Sequence, residues 1–452
     1  MTKDLTTGKP IKLIIEFAIP VLIGYLFQQF YNLADTAIVG KFLPVEDLAA
    51  VGATGPVCFL ILGMCMGLTA GFAIPVAQFF GAKDFTKMRQ YIFNAIILAA
   101  IFSVLYSVVT VLLCKPILRI MQTPADIIDH SSEYIMVIFA GMPFGFLYNF
   151  SAATLRSIGD SKTPLYFLIF SSLLNIGLDL LCILVFKLGV RGAAIATVIA
   201  QAIAGLLCLI YIKRKFPILH FQKEDKTFSW YIQGKLLAMG LPMGLQYSIT
   251  AIGSVILQAA VNSLGTTYVA AMTAGLKMHM FFCAMFDALG TTMATFAGQN
   301  TGAKEFSRIK TGLKDASLIG LIYSLLAFLI LFFFGNKMVL IFLDSDQDFI
   351  IKNAHQFLIS QSIFYFFLAE VNIIRFMIQG MGFPRLSILS GVFEMIARGT
   401  FGFVFVPLLE EKAHMGYFAA TFASPAAWLL ADIFLIIAFV FCYRTLVKRH
   451  SL

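Results

Sequence analysis

From Tyr91 to Cys114, and again from Ala316 to Asn336, the chain carries no charged side chain. Each run is long enough to cross the ~30 Å hydrocarbon core of a bilayer as a helix. In hydrocarbon every backbone N–H and C=O must be satisfied by protein, which leaves helices or closed barrels. No stretch shows the alternation of a membrane β-barrel, so helices are expected. Composition agrees. Of 452 residues 60% are hydrophobic and only 13% are charged, with a mean hydropathy of +0.88. Soluble domains carry about 25% charged residues.

Twelve apolar segments can be drawn, at about 12–35, 47–79, 89–113, 132–154, 164–186, 190–212, 236–262, 268–297, 312–334, 354–379, 385–409 and 418–443. The formal charge of +9 would suit nucleic acid, but its distribution does not. Most of the 33 Lys and Arg fall in alternate connections, the bias of cytoplasmic loops. A multi-pass plasma (inner) membrane protein is therefore expected, with both termini cytoplasmic, the bilayer as partner and no nucleic acid. The Met-Thr-Lys-Asp start lacks the features of a signal peptide. The seven cysteines lie in or beside apolar runs without a CxxC, so they read as packing residues rather than a disulfide framework or zinc site.

The chain repeats itself. GAKDFTKMR at 81 to 89 returns as GAKEFSRIK at 302 to 310, Pro20 in IPV answers Pro242 in LPM, and LAAV at 48 to 51 answers VAAM at 269 to 272. Six spans before residue 213 thus correspond to six after 235. An even number of spans per unit makes the repeats parallel, related by an axis along the membrane normal. The expected fold is all-α and polytopic: twelve transmembrane helices in two six-helix repeats around a central cavity. Residues 1–212 form an N-lobe, 213–235 a cytoplasmic linker and 236–452 a C-lobe. Pro20, Pro56, Pro75, Pro143 and Pro242 sit inside apolar segments, where each removes a backbone hydrogen bond and invites a bend.

One stretch needs a reason to exist. Asn175-Ile-Gly-Leu-Asp179 sets an aspartate in an apolar run, at a cost of roughly 2.5–3.5 kcal/mol by the mildest scale. Four apart, Asn175 and Asp179 share a helix face one turn apart. Such a carboxylate persists when it is paired, wetted or titrates.

Five motifs carry a resemblance. PVLIGYLFQQFYNLADTAIVGKF (20 to 42), RSIGDSKTP (156 to 164), NIGLDLLCILVF (175 to 186), GVRGAAIAT (189 to 197) and ATFAGQNTGAKEFSRIKTG (294 to 312) resemble the multidrug and toxic compound extrusion (MATE) family, in order and across both halves. GVFEMIAR and SPAAW (424 to 428) resemble one bacterial branch of it. The resemblance implies a twelve-helix antiporter that exports organic cations and drugs in exchange for Na+ or H+, not an enzyme. It would act as a monomer on small amphipathic, cationic substrates, with no cofactor beyond the coupling ion. Carried over residue by residue, the N-lobe cation site falls on Asp35, Asn175 and Asp179, with Thr197 and, less securely, Tyr134. Two carboxylates, an amide and a hydroxyl are hard oxygen donors that suit Na+. Two aspartates brought together in a dry site would be satisfied by one proton or one such ion. From the residues alone, Asp35 also suits a helix cap, Asp179 a buried carboxyl bonded to Asn175, Tyr134 an interfacial anchor, and Thr197 a packing hydroxyl.

The second half is harder to place. Its first helix has no acidic residue, only Gln246, Thr250 and Gln258. Charges come later: Lys277, Asp287, Glu370, Arg375, Glu394, Arg398 and Asp432. Glu394 precedes Arg398 by four, the favourable order for an intrahelical pair. Lys277 and Arg375 could neutralise Asp287 and Glu370, and Asp287 or Glu370 is the acidic residue expected to meet substrate. Met64, Met66, Met142, Tyr148 and Asn149 are candidates to line a cavity. The competing reading is a flippase for lipid-linked or other anionic amphiphiles on the same two-lobed plan, kept open by Lys277, Arg375 and Arg398. A major-facilitator sugar or peptide transporter would need a basic signature that the GAKDFTKMR loop lacks. No segment offers a nucleophile with a base, or ligands at metal spacing, for a membrane enzyme.

Overall fold

The computed structural model describes residues 3–121, 123–342 and 347–450, which are all-helical apart from their connections. The first half runs α1 (Pro10–Phe42), α2 (Val45–Gly81), α3 (Phe85–Ile120), α4 (Ile128–Ala140), α5 (Met142–Ser157), α6 (Lys162–Leu180) and α7 (Gly189–Lys215). The second runs α8 (Trp230–Asn262), α9 (Thr266–Gly302), α10 (Phe306–Val339), α11 (Asp348–Ser362), α12 (Tyr365–Gly380), α13 (Pro384–Thr400), α14 (Val406–Ala413) and α15 (Gly416–His450). Among the described residues ten helices are long and apolar enough to cross a membrane, and two bent pairs raise this to twelve. Leu325, Phe332, Phe333 and Leu112 lie more than half exposed on α10 and α3, as lipid-facing side chains do.

The bent pairs correct two expected segments. The run drawn as 132–154 breaks by 48° between α4 and α5, and 354–379 breaks by 50° between α11 and α12. Pro143, in the first turn of α5, has no N–H to continue the α4 ladder. At the second break Ser360 and Ser362 turn their hydroxyls onto the carbonyls of Gln356 and Ile359, a contact that bends helices.

The repeat is visible in backbone detail. Lys83 and Lys304, each ending a GAK turn, take left-handed φ values of 57° and 61°. Asp84 then bonds back to Phe79, and Glu305 to Asn300. A left-handed non-glycine is uncommon, so two at matching positions mark one turn used twice. Likewise α6 widens into a π-helix at Leu181–Val185, and α13 does so at Phe401–Phe405. Lys187 and His414 close those spans at φ 52° and 51°.

Two compact units emerge. Unit 1 holds Ile19–Gly244 with the chain before Leu5, and unit 2 holds Leu5–Ala18 with the chain from Leu245 onward. The first helix of each repeat thus changes unit beside its proline, Pro20 or Pro242. Within unit 1, Gly67 and Gly71 of α2 face Gly240 and Gly244 of α8. A Cβ on Gly67 would come within 2.6 Å of the Gly244 backbone nitrogen. This is the small-residue spacing that lets membrane helices touch backbone to backbone.

The linker packs on unit 1 as well. Arg89 Nε donates to buried Asp225 Oδ2 at 2.6 Å, and Asn94 brackets the irregular stretch beyond it, donating to Thr227 O and accepting from Ser229 N. Burial alone would raise the Asp225 carboxyl, but the bond from Arg89, the Gln222 N–H and the Arg89 charge outweigh it and hold it below the usual carboxylate range.

Candidate functional site

In unit 1 four elements bring oxygen atoms to one point. The α1 helix supplies Tyr31 and Asp35, α6 supplies Asn175 and Asp179, α7 supplies Thr197, and α4 brings Tyr134 alongside. Asp179, Asn175 and Asp35 are 0%, 1% and 9% exposed, so none relies on bulk water. With its amide turned so that both ends are matched, Asn175 donates to Asp179 Oδ2 at 3.0 Å and accepts from the Thr197 N–H at 3.1 Å. The Thr197 hydroxyl meets Tyr31 OH at 3.1 Å. The Asp35 and Asp179 carboxyls come close enough to interact directly, and Tyr134 lies within electrostatic reach of both.

This proximity constrains the chemistry. Two bare carboxylates about 4 Å apart repel by roughly 4 kcal/mol at an effective dielectric of 20, so the pair is stable only with a proton or a cation between its members. One oxygen of each, Asp35 Oδ1 and Asp179 Oδ1, is buried without a protein partner. Carboxylate, amide and hydroxyl oxygens fit a hard monovalent ion. The π-helix begins two residues after Asp179, and such bulges often accompany functional sites. Among the described residues no group of three or more His, Cys, Asp and Glu could hold a metal ion.

Tyr31 had escaped the sequence reading. Its signal was available: it lies four residues before Asp35, hence on the same face of α1. Nothing local sets it apart from the other tyrosines, and only the packing of α1 on α7 brings it to Thr197.

A cavity of about 170 Å³ opens within unit 1 beside this site. Met66, Met142, Tyr148 and Asn149 line it, with Tyr31, Asn175 and Thr197 at one end and Arg156 and Ser161 among its other residues. Met64 does not line it and packs instead against Gly244.

In unit 2 the charged residues pair differently from expectation. Arg375 binds Glu394 rather than Glu370, and its Nε donates to Ser390 Oγ at 2.9 Å. Glu394 also accepts from Arg398 Nη2 at 3.2 Å, the expected i, i+4 pair. The reason is reach: α12 and α13 are packed neighbours, and Glu394 lies between both guanidiniums. Lys277 does not meet Asp287 but sits 5.6 Å over the Phe342 ring. Asp287 is exposed on α9. Glu370 lies near Ser317 and keeps its Oε1 buried without a partner, and Asp432 is buried with neither oxygen partnered.

Comparison with known proteins gives this geometry its context. The MatE family profile matches residues 20–181 and 242–404, one match per repeat. "Probable multidrug resistance protein YoeA" of Bacillus subtilis (strain 168) is 29% identical over 377 residues, covering 81% of this chain and 80% of its own. "Probable multidrug resistance protein YpnP" of the same organism is 28% identical over 411 residues, covering 90% and 91%. A solved structure, the outward-facing conformation of a multidrug resistance MATE family transporter of the MOP superfamily, superposes with a TM-score of 0.90 at 23% identity, covering 99% of each chain. With both repeats matched over well more than half its length, the chain belongs to the MATE family of membrane transporters.

Proposed function

We propose that the protein is a secondary antiporter that exports amphipathic drugs, organic cations among them, in exchange for Na+ or H+ across the plasma membrane. The observation that carries this reading is that two carboxyls, Asp35 and Asp179, are buried beside one another among the oxygens of Asn175, Thr197 and Tyr31. The pair, with Asn175, Thr197 and Tyr31 around it, takes up one monovalent ion at a time. The names of the Bacillus relatives support multidrug export. Alternating access of the two halves, 1–212 and 236–452 joined by the linker 213–235, links ion uptake to drug release. Both termini and both GAK turns face the cytoplasm in this scheme.

Energetics constrain the exchange. One charge moved through 100 mV is worth about 2.3 kcal/mol, and a tenfold gradient about 1.4. Exchange of one external for one internal monocation is electroneutral, so voltage would add nothing. Efflux that responds to voltage would require a second coupling ion or a substrate without net positive charge. In unit 2 Glu394 pairs with both Arg375 and Arg398 and an aromatic ring lies beneath Lys277, so the flippase reading rests on the excess guanidinium, Arg398, whose Nε and Nη1 are buried without a partner.

The test is efflux from proteoliposomes under an imposed Na+ or pH gradient. Asp35→Asn and Asp179→Asn should each reduce driven efflux to the rate seen without a gradient while the protein stays folded. Wild-type rates in both variants would refute the site.

A further inference from the structure

The unit 1 cavity contains one cation that the ion site does not use. Arg156 lines it, half-buried, and among the described residues its guanidinium makes no ion pair and no hydrogen bond. The acidic group nearest in sequence, Asp160, is committed elsewhere: it accepts from the N–H groups of Lys162 and Thr163 and from the Thr163 hydroxyl at 2.6 Å, capping α6. No Asp or Glu lines the cavity. A guanidinium held in a walled cavity is a ready donor fork for a carboxylate or phosphate.

The repeat shows that the turn itself needs no cation. Arg156 and Gln379 occupy the same place. Gly159 N bonds Arg156 O at 2.9 Å and Gly382 N bonds Gln379 O at 2.9 Å, with both glycines left-handed at φ 87° and 93°. Gln379 is 1% exposed, and its amide donates to Gln246 Oε1 at 2.7 Å and Ser387 Oγ at 3.1 Å. One copy of the turn therefore carries a neutral side chain tied into the packing. The other carries a charged one left open to a cavity.

The cavity is elongated along α6. It follows one face of α6 from Ser161 through Leu165, Leu168 and Ser172 to Asn175, roughly 20 Å at 1.5 Å per residue. Its middle is apolar and its Arg156 end cationic. We infer that unit 1 holds a substrate subsite for an elongated amphiphile whose carboxylate or phosphate is bound by Arg156 and whose apolar body lies along Leu165 and Leu168. The inference deepens the transport reading, because it adds an anionic group to the substrate: zwitterionic drugs and anionic amphiphiles fit, and simple monocations leave Arg156 unmatched.

The test uses binding rather than transport, so failure of ion coupling cannot be mistaken for failure of the subsite. Full-length protein in nanodiscs of zwitterionic lipid is titrated calorimetrically with decyl phosphate, decyltrimethylammonium and inorganic phosphate. Decyl phosphate should bind about tenfold more tightly than decyltrimethylammonium, and Arg156→Gln, which copies Gln379, should remove that tenfold while Arg156→Lys keeps part of it. Leu165→Trp, which fills the apolar stretch and leaves the guanidinium alone, should weaken decyl phosphate and spare inorganic phosphate. Equal binding of the two amphiphiles overturns the inference, as does unchanged decyl phosphate affinity in Arg156→Gln or in Leu165→Trp. Repeating the titration with phosphatidylglycerol in the nanodisc identifies the source. Competition supports a lipid headgroup as occupant, and undiminished binding supports a soluble solute.

Discussion

The two repeats place different chemistry on one backbone plan. Pro164 and Pro384 stand at the starts of α6 and α13, and both helices end in a π-helix, at Leu181 and Phe401. In that register Asn175 falls opposite Met395 and Asp179 opposite Gly399. Asp35 falls opposite the apolar stretch Val255 to Leu257, and Thr197 opposite Ser424. Unit 2 therefore lacks nearly every oxygen that unit 1 assembles. Its own charges, Arg375, Glu394 and Arg398, come from other positions and largely satisfy one another. A duplicated scaffold does not duplicate its site. The backbone geometry survives side-chain change because turns and helix packing depend on glycines, prolines and hydrogen bonds, whereas ion binding depends on a few named oxygens.

The sharpest way to break this comparison is to neutralise one carboxylate in each unit. Asp179→Asn should eliminate gradient-driven efflux, and Asp432→Asn should leave it near the wild-type rate. Loss of coupling in Asp432→Asn would show that unit 2 also carries an ion, since Asp432 has both oxygens unpartnered. Next comes stability. Glu394→Gln leaves two buried guanidiniums facing a neutral amide, and breaking a buried pair of this kind costs about 3–5 kcal/mol. A large drop in thermal stability in detergent is expected, against little change for Asp179→Asn, which relieves a carboxylate contact. Similar melting of the two variants would erase the contrast between a brace and a binding site.

A smaller effect is expected at Tyr31→Phe, which removes one hydrogen bond to Thr197. The loss should be about 1 kcal/mol, read as a roughly fivefold rise in the half-maximal driving-ion concentration. The smallest concerns the linker. The Asp225 carboxyl is held below its usual value, so its contribution is complete above the unfolded value near 4 and is lost as pH falls through the folded one. Wild type should lose thermal stability relative to Asp225→Asn only below about pH 4. Melting curves that stay parallel well below that pH would mean that the Arg89 bond does not stabilise the linker.

Much of this was legible before any coordinates. Helical membrane class follows from uncharged runs, because hydrocarbon admits only helices or closed barrels and these runs lack a barrel's alternation. The repeat was legible from GAKDFTKMR and GAKEFSRIK, which the two left-handed lysines now explain as a single turn. Asp35, Asn175, Asp179 and Thr197 were named from sequence and are brought together by α1, α6 and α7. The breaks between α4 and α5 and between α11 and α12 were not legible, since apolar composition is the same on either side of a bend. Tyr31 was missed for a similar reason: a tyrosine's sequence neighbours do not say which helix it will face.

The sequence by itself determined the class of fold, the number of repeats and the residue types capable of holding an ion. These depend on the local period of hydrophobicity and on the cost of charge in hydrocarbon, both of which are readable one segment at a time. Only tertiary structure decided which charges meet. Arg375 chose Glu394 over Glu370, Asp35 met Asp179 across two helices, and Arg156 was left open to a cavity while Gln379 was tied down. Such pairings turn on ångström-scale reach between segments far apart in the chain, and no local pattern encodes them.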